Sequence, residues 1–388
     1  MTTPHTQPRT EVTSKPISIV HIASGDLWAG AEQQLYHLLK ALQMEVGASV
    51  SAIILNEGHL SESLKTLGIP LEIIPEGNLG FIDILKRTRR FIVSHKADIV
   101  HSHRTKENVI SALVKLTLPH LRTVCTAHGA PEHSVGSRWN RRRIAYEAER
   151  LAGNLIHDKI IAVSNELSAY LAKKHPVDKL TTIENGIDVL EVTTASHEPI
   201  TLPGKPLSRK IGIAGRLVPV KRIDLFIEIA KDLTTRTNDL YDFYIFGDGP
   251  LAARLKRQIV DSGLDETVHM MGFHSPLAPH LSRLDALMVT SDHEGLPLIV
   301  LESMAIGCPV IAHAVGGIPR ALDDARAGFL IPNQDPSSYG DAVIHLFDDE
   351  NTTGELTRRA KLRAEKFYSS TRCARDHLEL YQNLMNTR

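Results

Sequence analysis

Short apolar runs alternate with longer amphipathic stretches along most of this chain. The first run, Ile17 to Ala23, precedes Ala31 to Gln43, where apolar residues recur at helical spacing. Further strands are predicted in the same way at 48–55, 71–74, 99–100, 123–127, 159–163, 210–214, 241–246, 268–270, 286–289 and 310–312. Such alternation favours parallel sheets with helices on both faces. We therefore predict an α/β protein built from doubly wound parallel sheets.

The alternation pauses once, which divides the chain into two domains. Asn185 to Asp188 has the composition of a turn, and Glu191 to Ser208 is rich in Thr, Pro and Ser without periodicity, which predicts a linker. The predicted organisation is a disordered tail (1–16), a first Rossmann-like domain (17–200), a second (201–370) and a last helix (371–388) that packs back toward the first domain. A central cleft between the domains is the expected place for ligands.

Composition excludes several classes of function. Lys plus Arg number 44 and Asp plus Glu 45, a balance that argues against a dedicated nucleic-acid-binding protein. Cys125, Cys308 and Cys373 have neither metal-ligand nor disulfide spacing, which favours a cytoplasmic location. No apolar run approaches the ~20 residues needed to cross a bilayer. No catalytic triad order and no complete phosphate-binding loop for nucleoside triphosphates is present, which argues against hydrolases and ATPases.

The segment from Thr290 to Ala312 is the most informative part of the chain. Pro297 suits the first turn of a helix and Gly307 the position just after its end. A helix that begins at the carboxyl end of a parallel strand offers free N–H groups to an anion, so we predict a phosphate at Gly295, Leu296 and Leu298. Glu294 and Glu302 would then suit hydrogen bonds from neutral hydroxyl groups of the ligand. In the alternative interpretation both glutamates are ordinary exposed residues.

Basic residues follow the first strand of the second domain. Arg216, after Gly215, offers a bidentate guanidinium, and Lys221 adds a flexible ammonium, so the pair suits a diphosphate. A solvated basic loop is the competing interpretation. Gly247 and Phe273 lie in turns that close the next two strands. Either turn is a simple connection or a place where backbone meets a nucleotide.

The first domain contributes a glycine-containing loop and several histidines. Gly30 ends a loop in which backbone can approach a phosphate or sugar closely, and Trp28 lies beside it. His101, His103 and His128 follow strand ends, but nothing in their spacing requires a metal. The functional interpretation of His128 is a hydrogen bond to a substrate hydroxyl, and the structural one is a histidine satisfied by backbone groups.

One basic cluster stands apart from these loops. It consists of Arg138, Trp139, Arg141, Arg142 and Arg143. Arginines interleaved with an aromatic residue suit anionic lipid head groups or a pyrophosphate on an acceptor. The alternative is a solvated charged helix face. Peripheral contact with the inner face of the membrane therefore stays open.

Several segments together resemble the retaining glycosyltransferases of family four, from about Ile17 to the end of the chain. The resemblance rests on Glu294 with Glu302, Gly215-Arg216 with Lys221, the Gly247-Asp248-Gly249 turn, Ala127-His128-Gly129 and Asn185-Gly186-Ile187-Asp188. In the family, two adjacent glycines commonly precede Ala-Glu in the first loop, whereas here Ala29 precedes Gly30. The methyl group of Ala29 leaves less room for the backbone of this loop to approach a ligand.

The resemblance implies a GT-B fold, with the acceptor bound mainly by the first domain and the sugar nucleotide by the second. It implies that Arg216 and Lys221 hold the diphosphate without a metal or other cofactor, that Glu302 binds the ribose, and that Glu294 and His128 lie at the donor sugar. The implied activity is retaining transfer of a sugar to a glycan or lipid-linked acceptor, in surface polysaccharide or glycoconjugate biosynthesis. An inactive nucleotide-sugar-binding partner protein and a sugar-nucleotide epimerase are the alternatives.

Overall fold

The computed structural model describes residues 15–45, 47–129, 141–237 and 241–387, which form two parallel sheets. The first sheet has the order β3-β2-β1-β4-β5-β6-β7, with strands β1 (Ile17–Ser24), β2 (Ala48–Leu55), β3 (Leu71–Ile74), β4 (Ile99–Ser102), β5 (Arg122–Ala127), β6 (Lys159–Ala162) and β7 (Leu180–Thr182). The second has the order β10-β9-β8-β11-β12-β13, with strands β8 (Arg209–Ala214), β9 (Tyr241–Phe246), β10 (Val268–Gly272), β11 (Ala286–Val289), β12 (Val310–His313) and β13 (Phe329–Ile331).

Helices follow most of these strands and cover both faces of each sheet. In the first half they are α1 (Gly30–Leu42), α2 (His59–Thr66), α3 (Phe81–Ser94), α4 (Thr105–Thr117), α5 (Arg141–Leu155), α6 (Asn165–Leu171) and α7 (Val189–Ala195). In the second half they are α8 (Ile223–Arg236), α9 (Ala252–Asp261), α10 (Ala278–Leu281), α11 (Leu298–Ile306), α12 (Ile318–Ala321), α13 (Pro336–Asp348), α14 (Glu350–Phe367) and α15 (Ser370–Asn386). The prediction of two doubly wound α/β units is confirmed.

Strand β1 shows why the central strands are apolar throughout. Val20 and Ile22 pack in one core with residues of α3 and α4, whereas Ile19 and Ala23 pack in another with residues of α1 and α15. A parallel strand buried on both faces has no polar side, so its sequence does not alternate.

The last helix belongs to the core of the first domain. Ala374, Leu378 and Tyr381 of α15 are buried in that core, and the Tyr381 hydroxyl lies 2.6 Å from Nδ1 of His101. The chain therefore crosses between the domains twice. The two crossings lie side by side, since the N–H of Ile187 donates to the carbonyl of Tyr368 at 2.8 Å and that of Ser370 to the carbonyl of Ile187 at 2.7 Å.

The linker predicted at 191–208 is wrong at its start, because residues 191–195 belong to helix α7. Asp188 caps this helix by accepting a hydrogen bond from the N–H of Glu191 at 3.0 Å. Helix α7 packs against α10 and α11, so it contacts the second domain although the predicted boundary assigns it to the first. Strands β7 and β13 were not predicted. Each is a three-residue strand at the edge of its sheet, too short to give a period.

Candidate functional site

A cavity of about 1960 Å³ lies between the two domains, at the carboxyl ends of both sets of strands. Every site residue predicted from the sequence lines it: Gly30, His128, Gly215, Arg216, Lys221, Gly247, Phe273, Glu294, Gly295, Leu296, Leu298 and Glu302. Phe273 is 54% exposed there. The structure thus brings the predicted residues of both domains to one place, while their roles stay predictions.

Helix α11 begins at this cavity as the sequence predicts. Pro297 is its N-cap, with extended backbone, and Gly307 is its C-cap with φ of 88°. Leu298 is therefore the first helical residue and Glu302 lies just over one turn inside. The N–H groups of the first turn have no preceding helical carbonyl to bond, so they are available to an anion.

The loop before α11 packs directly against the first domain. A Cβ atom on Gly295 would lie 2.2 Å from the carbonyl oxygen of His128 and 2.8 Å from Cγ2 of Val163. The side-chain amide of Asn185 donates to the carbonyl of Leu296 at 2.8 Å. Only glycine permits this approach, which places His128 beside the start of α11.

Glu294 and Lys221 form an ion pair inside the cavity. Nζ of Lys221 lies 2.6 Å from Oε1 of Glu294, and the hydroxyl of Ser291 donates to the same oxygen at 2.7 Å. The Glu294 side chain is only 10% exposed. Each partner therefore compensates the charge of the other, and an entering phosphate would compete with Glu294 for the lysine.

Arg216 is the cation that remains available in the second domain's half of the cavity. Its side chain is exposed and forms no ion pair with any residue in the described part of the chain. The loop that carries it is fixed by backbone contacts, since the N–H of Leu217 donates to the carbonyl of Asp248 at 2.9 Å. Gly247 has φ of 133°, and a Cβ there would lie 2.0 Å from the carbonyl oxygen of Gly215. The turn at Gly247 can approach Gly215 this closely only because Gly247 carries no side chain.

Glu302 is a half-buried carboxyl group with no hydrogen-bond partner among residues 15–45, 47–129, 141–237 and 241–387. Burial, and then the negative charge of Glu191, raise its pKa to about 7. Near neutral pH it exists in both protonation states. In either state it can bond a hydroxyl group, because the acid donates and the carboxylate accepts.

His128 ends a row of buried imidazoles. Its Nε2 lies 3.3 Å from Nδ1 of His103, and Nε2 of His103 lies 3.0 Å from Nδ1 of His21. Burial lowers the pKa of His128 and of His21 to about 3, so both rings are neutral. Nδ1 of His128 is buried and has no hydrogen-bond partner within the described chain. One ring nitrogen beside the cavity is thus unused by the protein.

Three of the buried histidines could be taken for a metal site. The described residues bring His21, His101 and His103 close enough for one nitrogen of each to lie within 4.8 Å of the others. Five of their six ring nitrogens already have a partner. The two of His101 bond the hydroxyls of Tyr381 and Thr126 at 2.6 and 2.7 Å, and those of His103 and Nδ1 of His21 bond other histidines. The donor set therefore does not favour a metal, and metal independence stays a prediction.

The sequence reasoning missed Glu107 and Glu149, and it gave Trp28 no partner. Trp28 reaches across the cleft, where its Nε1 donates to the hydroxyl of Ser275 at 3.0 Å. Glu107, at the start of α4, and Glu149, on α5, also line the cavity. The signal for Glu107 was present, since this residue follows β4, and the rule used for β8 and β11 applies equally to β4.

The predicted basic cluster is not tested by the structure. Arg138 and Trp139 lie outside the described residues, and so do the side chains of Arg141, Arg142 and Arg143, although helix α5 begins at Arg141.

Two family models match this chain. One, described as Glycosyltransferase Family 4, covers residues 28–190, and the other, Glycosyl transferases group 1, covers residues 208–349. The D-inositol 3-phosphate glycosyltransferase of Paenarthrobacter aurescens is 30% identical over 77% of this chain and 76% of its own length. The UDP-Gal:alpha-D-GlcNAc-diphosphoundecaprenol alpha-1,3-galactosyltransferase of Escherichia coli is 25% identical over 87% of this chain and 90% of its own.

Solved structures share the two-domain architecture. Anabaena HepE in complex with UDP and glucose superposes with a TM-score of 0.80 at 18% identity, over 95% of this chain and 100% of that chain. The sucrose-phosphate synthase of Thermosynechococcus elongatus gives a TM-score of 0.76 at 17% identity, over 97% of this chain and 100% of that one. At these identities the likeness concerns the fold.

The contact between Gly295 and His128 can be tested with an alanine. We expect Gly295→Ala to lower the melting temperature and to reduce nucleotide-sugar turnover by about 10-fold or more, because its Cβ meets a backbone carbonyl that must move. Gly354→Ala is the control, since nothing lies within 4 Å of a Cβ there. Thermal unfolding and turnover of both variants are compared with the wild type. Equal values for Gly295→Ala and the wild type would contradict the tight contact.

The raised pKa of Glu302 predicts a pH-dependent stability. Between its ordinary value of 4.5 and about 7, the folded state holds this proton more tightly than the unfolded state, so the residue's contribution to the unfolding free energy falls as pH rises. Glu302→Gln removes this pH-dependent loss. Between pH 5 and pH 8 we therefore expect the unfolding free energy of the variant to rise by roughly 2–3 kcal/mol relative to that of the wild type. Urea unfolding at both pH values measures the gain. Glu228→Gln, on an exposed face of α8, should show none.

Proposed function

This chain belongs to the family-four, group 1 glycosyltransferases, and we propose that it is a retaining, metal-independent enzyme that transfers a sugar to a glycan or lipid-linked acceptor. It has the GT-B fold and acts on nucleotide sugars. The observation that carries the proposal is the meeting of an unpaired guanidinium, Arg216, with the N-terminus of α11 in one interdomain cavity. Both features suit the diphosphate of a sugar nucleotide.

The leaving group explains why cations are placed there. When the bond between the sugar C1 and the β-phosphate oxygen breaks, negative charge grows on the phosphate. Arg216, Lys221 and the first turn of α11 stabilise that charge more in the transition state than in the ground state. For Lys221 this requires that the phosphate displace Glu294 from the ion pair.

Retention follows if the acceptor approaches on the face from which the phosphate leaves. The acceptor oxygen then bonds to C1 while its proton passes to the departing β-phosphate oxygen. The unused Nδ1 of His128 suits a hydroxyl of the donor sugar.

Glu302 suits the ribose of the nucleotide. It lies on α11 just past the first turn, so a phosphate at the helix N-terminus would leave the adjoining ribose near its unpartnered carboxyl group. This supports the division of roles between the two glutamates, with Glu294 at the transferred sugar and Glu302 at the nucleoside.

A transfer assay with a panel of uridine and guanosine diphosphate sugars tests the proposed activity. The assay separates sugar transfer from epimerisation of the donor and from binding alone. We expect product to form in the presence of EDTA. We also expect NMR to show that the product has the same anomeric configuration as the donor. Arg216→Ala and Lys221→Ala should each lower kcat by about 100-fold or more, the scale for loss of one charge-stabilising group. Arg257→Ala, on the exposed face of α9, is the control. An inverted product, or unchanged kcat in both variants, would contradict the mechanism.

We further propose a peripheral contact with the inner face of the membrane, as part of surface glycan assembly. Ile144, Leu151 and Leu155 of α5 are 55%, 50% and 75% exposed and lie on one side of the helix that follows the basic cluster. An exposed apolar stripe next to arginines is the pattern of a helix that lies in a membrane interface. No helix in the described ranges is long and apolar enough to span a bilayer.

Vesicle flotation tests the membrane contact. The wild type should float with vesicles that contain phosphatidylglycerol and much less with pure phosphatidylcholine, because the arginines favour anionic lipid. Replacing Leu151 and Leu155 together by Glu should reduce the bound fraction about 10-fold. Leu362→Glu, at a similarly exposed position on α14, is the matched control. Equal flotation of all three proteins would contradict the contact.

A further inference from the structure

Ser291 is a buried serine in the loop between β11 and α11, and it contacts the ion pair of the donor half directly. The residue is 2% exposed, and its hydroxyl donates at 2.7 Å to Oε1 of Glu294. The same oxygen accepts from Nζ of Lys221 at 2.6 Å. The Glu294 carboxylate therefore has two donors in the protein, of which one is charged and the other is neutral.

These two donors differ in how firmly they are held. Ser291 belongs to the same loop as Glu294, and its carbonyl oxygen lies 2.8 Å from Nδ1 of His313 at the end of β12. The preceding residue, Thr290, is fully buried, and its hydroxyl donates at 2.9 Å to the carbonyl of Lys221. Both backbones are thus fixed, and the movable group is the lysine ammonium at the end of its flexible four-carbon stem.

A further set of contacts holds these loops from behind. Gln334, in the loop after β13, donates from Nε2 to Oδ1 of Asp292 and accepts at Oε1 from Nη1 of Arg222, both at 2.7 Å. The N–H of Asp292 donates to the carbonyl of Val220 at 2.8 Å. Since these contacts join the loops after β8, β11 and β13, the backbone that carries the ion pair is fixed independently of the pair.

The stem of Lys221 lies against the backbone next to Arg216, the unpaired cation. A Cβ on Gly215 would lie 3.6 Å from Cε of the lysine. A phosphate that binds the guanidinium of Arg216 therefore comes close to the lysine stem. When the ammonium turns to that phosphate, Glu294 loses its charged partner while its side chain, only 10% exposed, has little access to water.

We propose that Ser291 is a positioning residue that retains the Glu294 carboxylate when the diphosphate of the donor takes Lys221. A buried carboxylate that loses every partner is costly, whereas one that keeps a hydrogen bond is not left unsatisfied. Ser291 thereby lowers the cost of moving the lysine to the phosphate and keeps Glu294 in place beside the transferred sugar. This role rests on the proposed function, in which the phosphate displaces Glu294 from Lys221.

Isothermal titration calorimetry of the full chain with UDP, GDP, ADP and dTDP tests this role. For the diphosphate that binds best, we expect Ser291→Ala to weaken binding about 10-fold, the scale for a hydrogen bond to a charged group. In a Glu294→Gln background the same change should weaken it by less than about 2-fold, because the group left behind is neutral. Ser51→Ala, at a buried position of β2 outside the cavity, is the matched control and should leave the affinity unchanged.

The matching nucleoside separates positioning from a general loosening of the site. A nucleoside has no phosphate to draw Lys221 away from Glu294, so Ser291→Ala should change its affinity by less than about 2-fold, as measured by saturation-transfer NMR. Equal weakening of nucleoside and diphosphate overturns the inference, and so does an equal loss with and without Glu294→Gln. A loss of less than about 3-fold for the diphosphate in Ser291→Ala, or no binding of any of the four diphosphates, also overturns it.

Lys221→Ala distinguishes failure of this inference from failure of the proposed function. If Lys221→Ala weakens the diphosphate and Ser291→Ala does not, the lysine contact stands and the role of Ser291 is overturned. If Lys221→Ala leaves the affinity unchanged, the proposed phosphate contact fails and the role of Ser291 fails with it. Should circular dichroism show that Ser291→Ala does not fold, Ser291→Cys decides. Its thiol is a weaker donor of similar shape, so a loss of at least about 3-fold is expected and a smaller one overturns the inference.

Discussion

A parallel sheet places the carboxyl ends of all its strands at one edge, and the cleft of this protein depends on that constraint in both domains. The loops after β8 and β11 bring Arg216 and Glu294 to the cavity, and the loops after β4 and β5 bring Glu107 and His128. Residues far apart in sequence meet because two such edges face each other. The separation between the edges is set where the loop at Gly295 packs on the His128 carbonyl, an approach that a side chain would prevent.

The cleft is electrostatically asymmetric. In the second domain Arg216 is an unpaired cation, and Lys221 is held by a carboxylate that a phosphate can replace. In the described first-domain lining every Lys and Arg is paired, and the groups without a partner include Glu107 and a neutral His128. Coulomb interactions in a partly desolvated site are stronger than in water, so an anionic group that enters the cleft is attracted more strongly to the second-domain half.

The sequence predicted those parts of the structure that local rules control. The helix between Pro297 and Gly307 follows from capping preferences, and the site residues follow from their position after strands. What it could not predict depends on distant contacts. The pairing of Lys221 with Glu294 joins residues 73 apart in the sequence. Helix α7 was missed because its cap, Asp188, was interpreted only as part of a turn.

The two crossings between the domains hold these distant contacts in place. Ile187 lies between Tyr368 and Ser370 in hydrogen bonds of 2.8 and 2.7 Å, and a Cβ on Gly186 would lie 2.5 Å from the carbonyl oxygen of Ser369. The first crossing thus fixes the second, and the second leads into α15, whose Tyr381 bonds His101 in the sheet that carries the histidine row. The histidine row ends at His128, which contacts the loop of α11 in the other domain. The position of His128 relative to the donor half of the cleft is therefore fixed from both sides, by the core behind it and by the glycine loop in front of it.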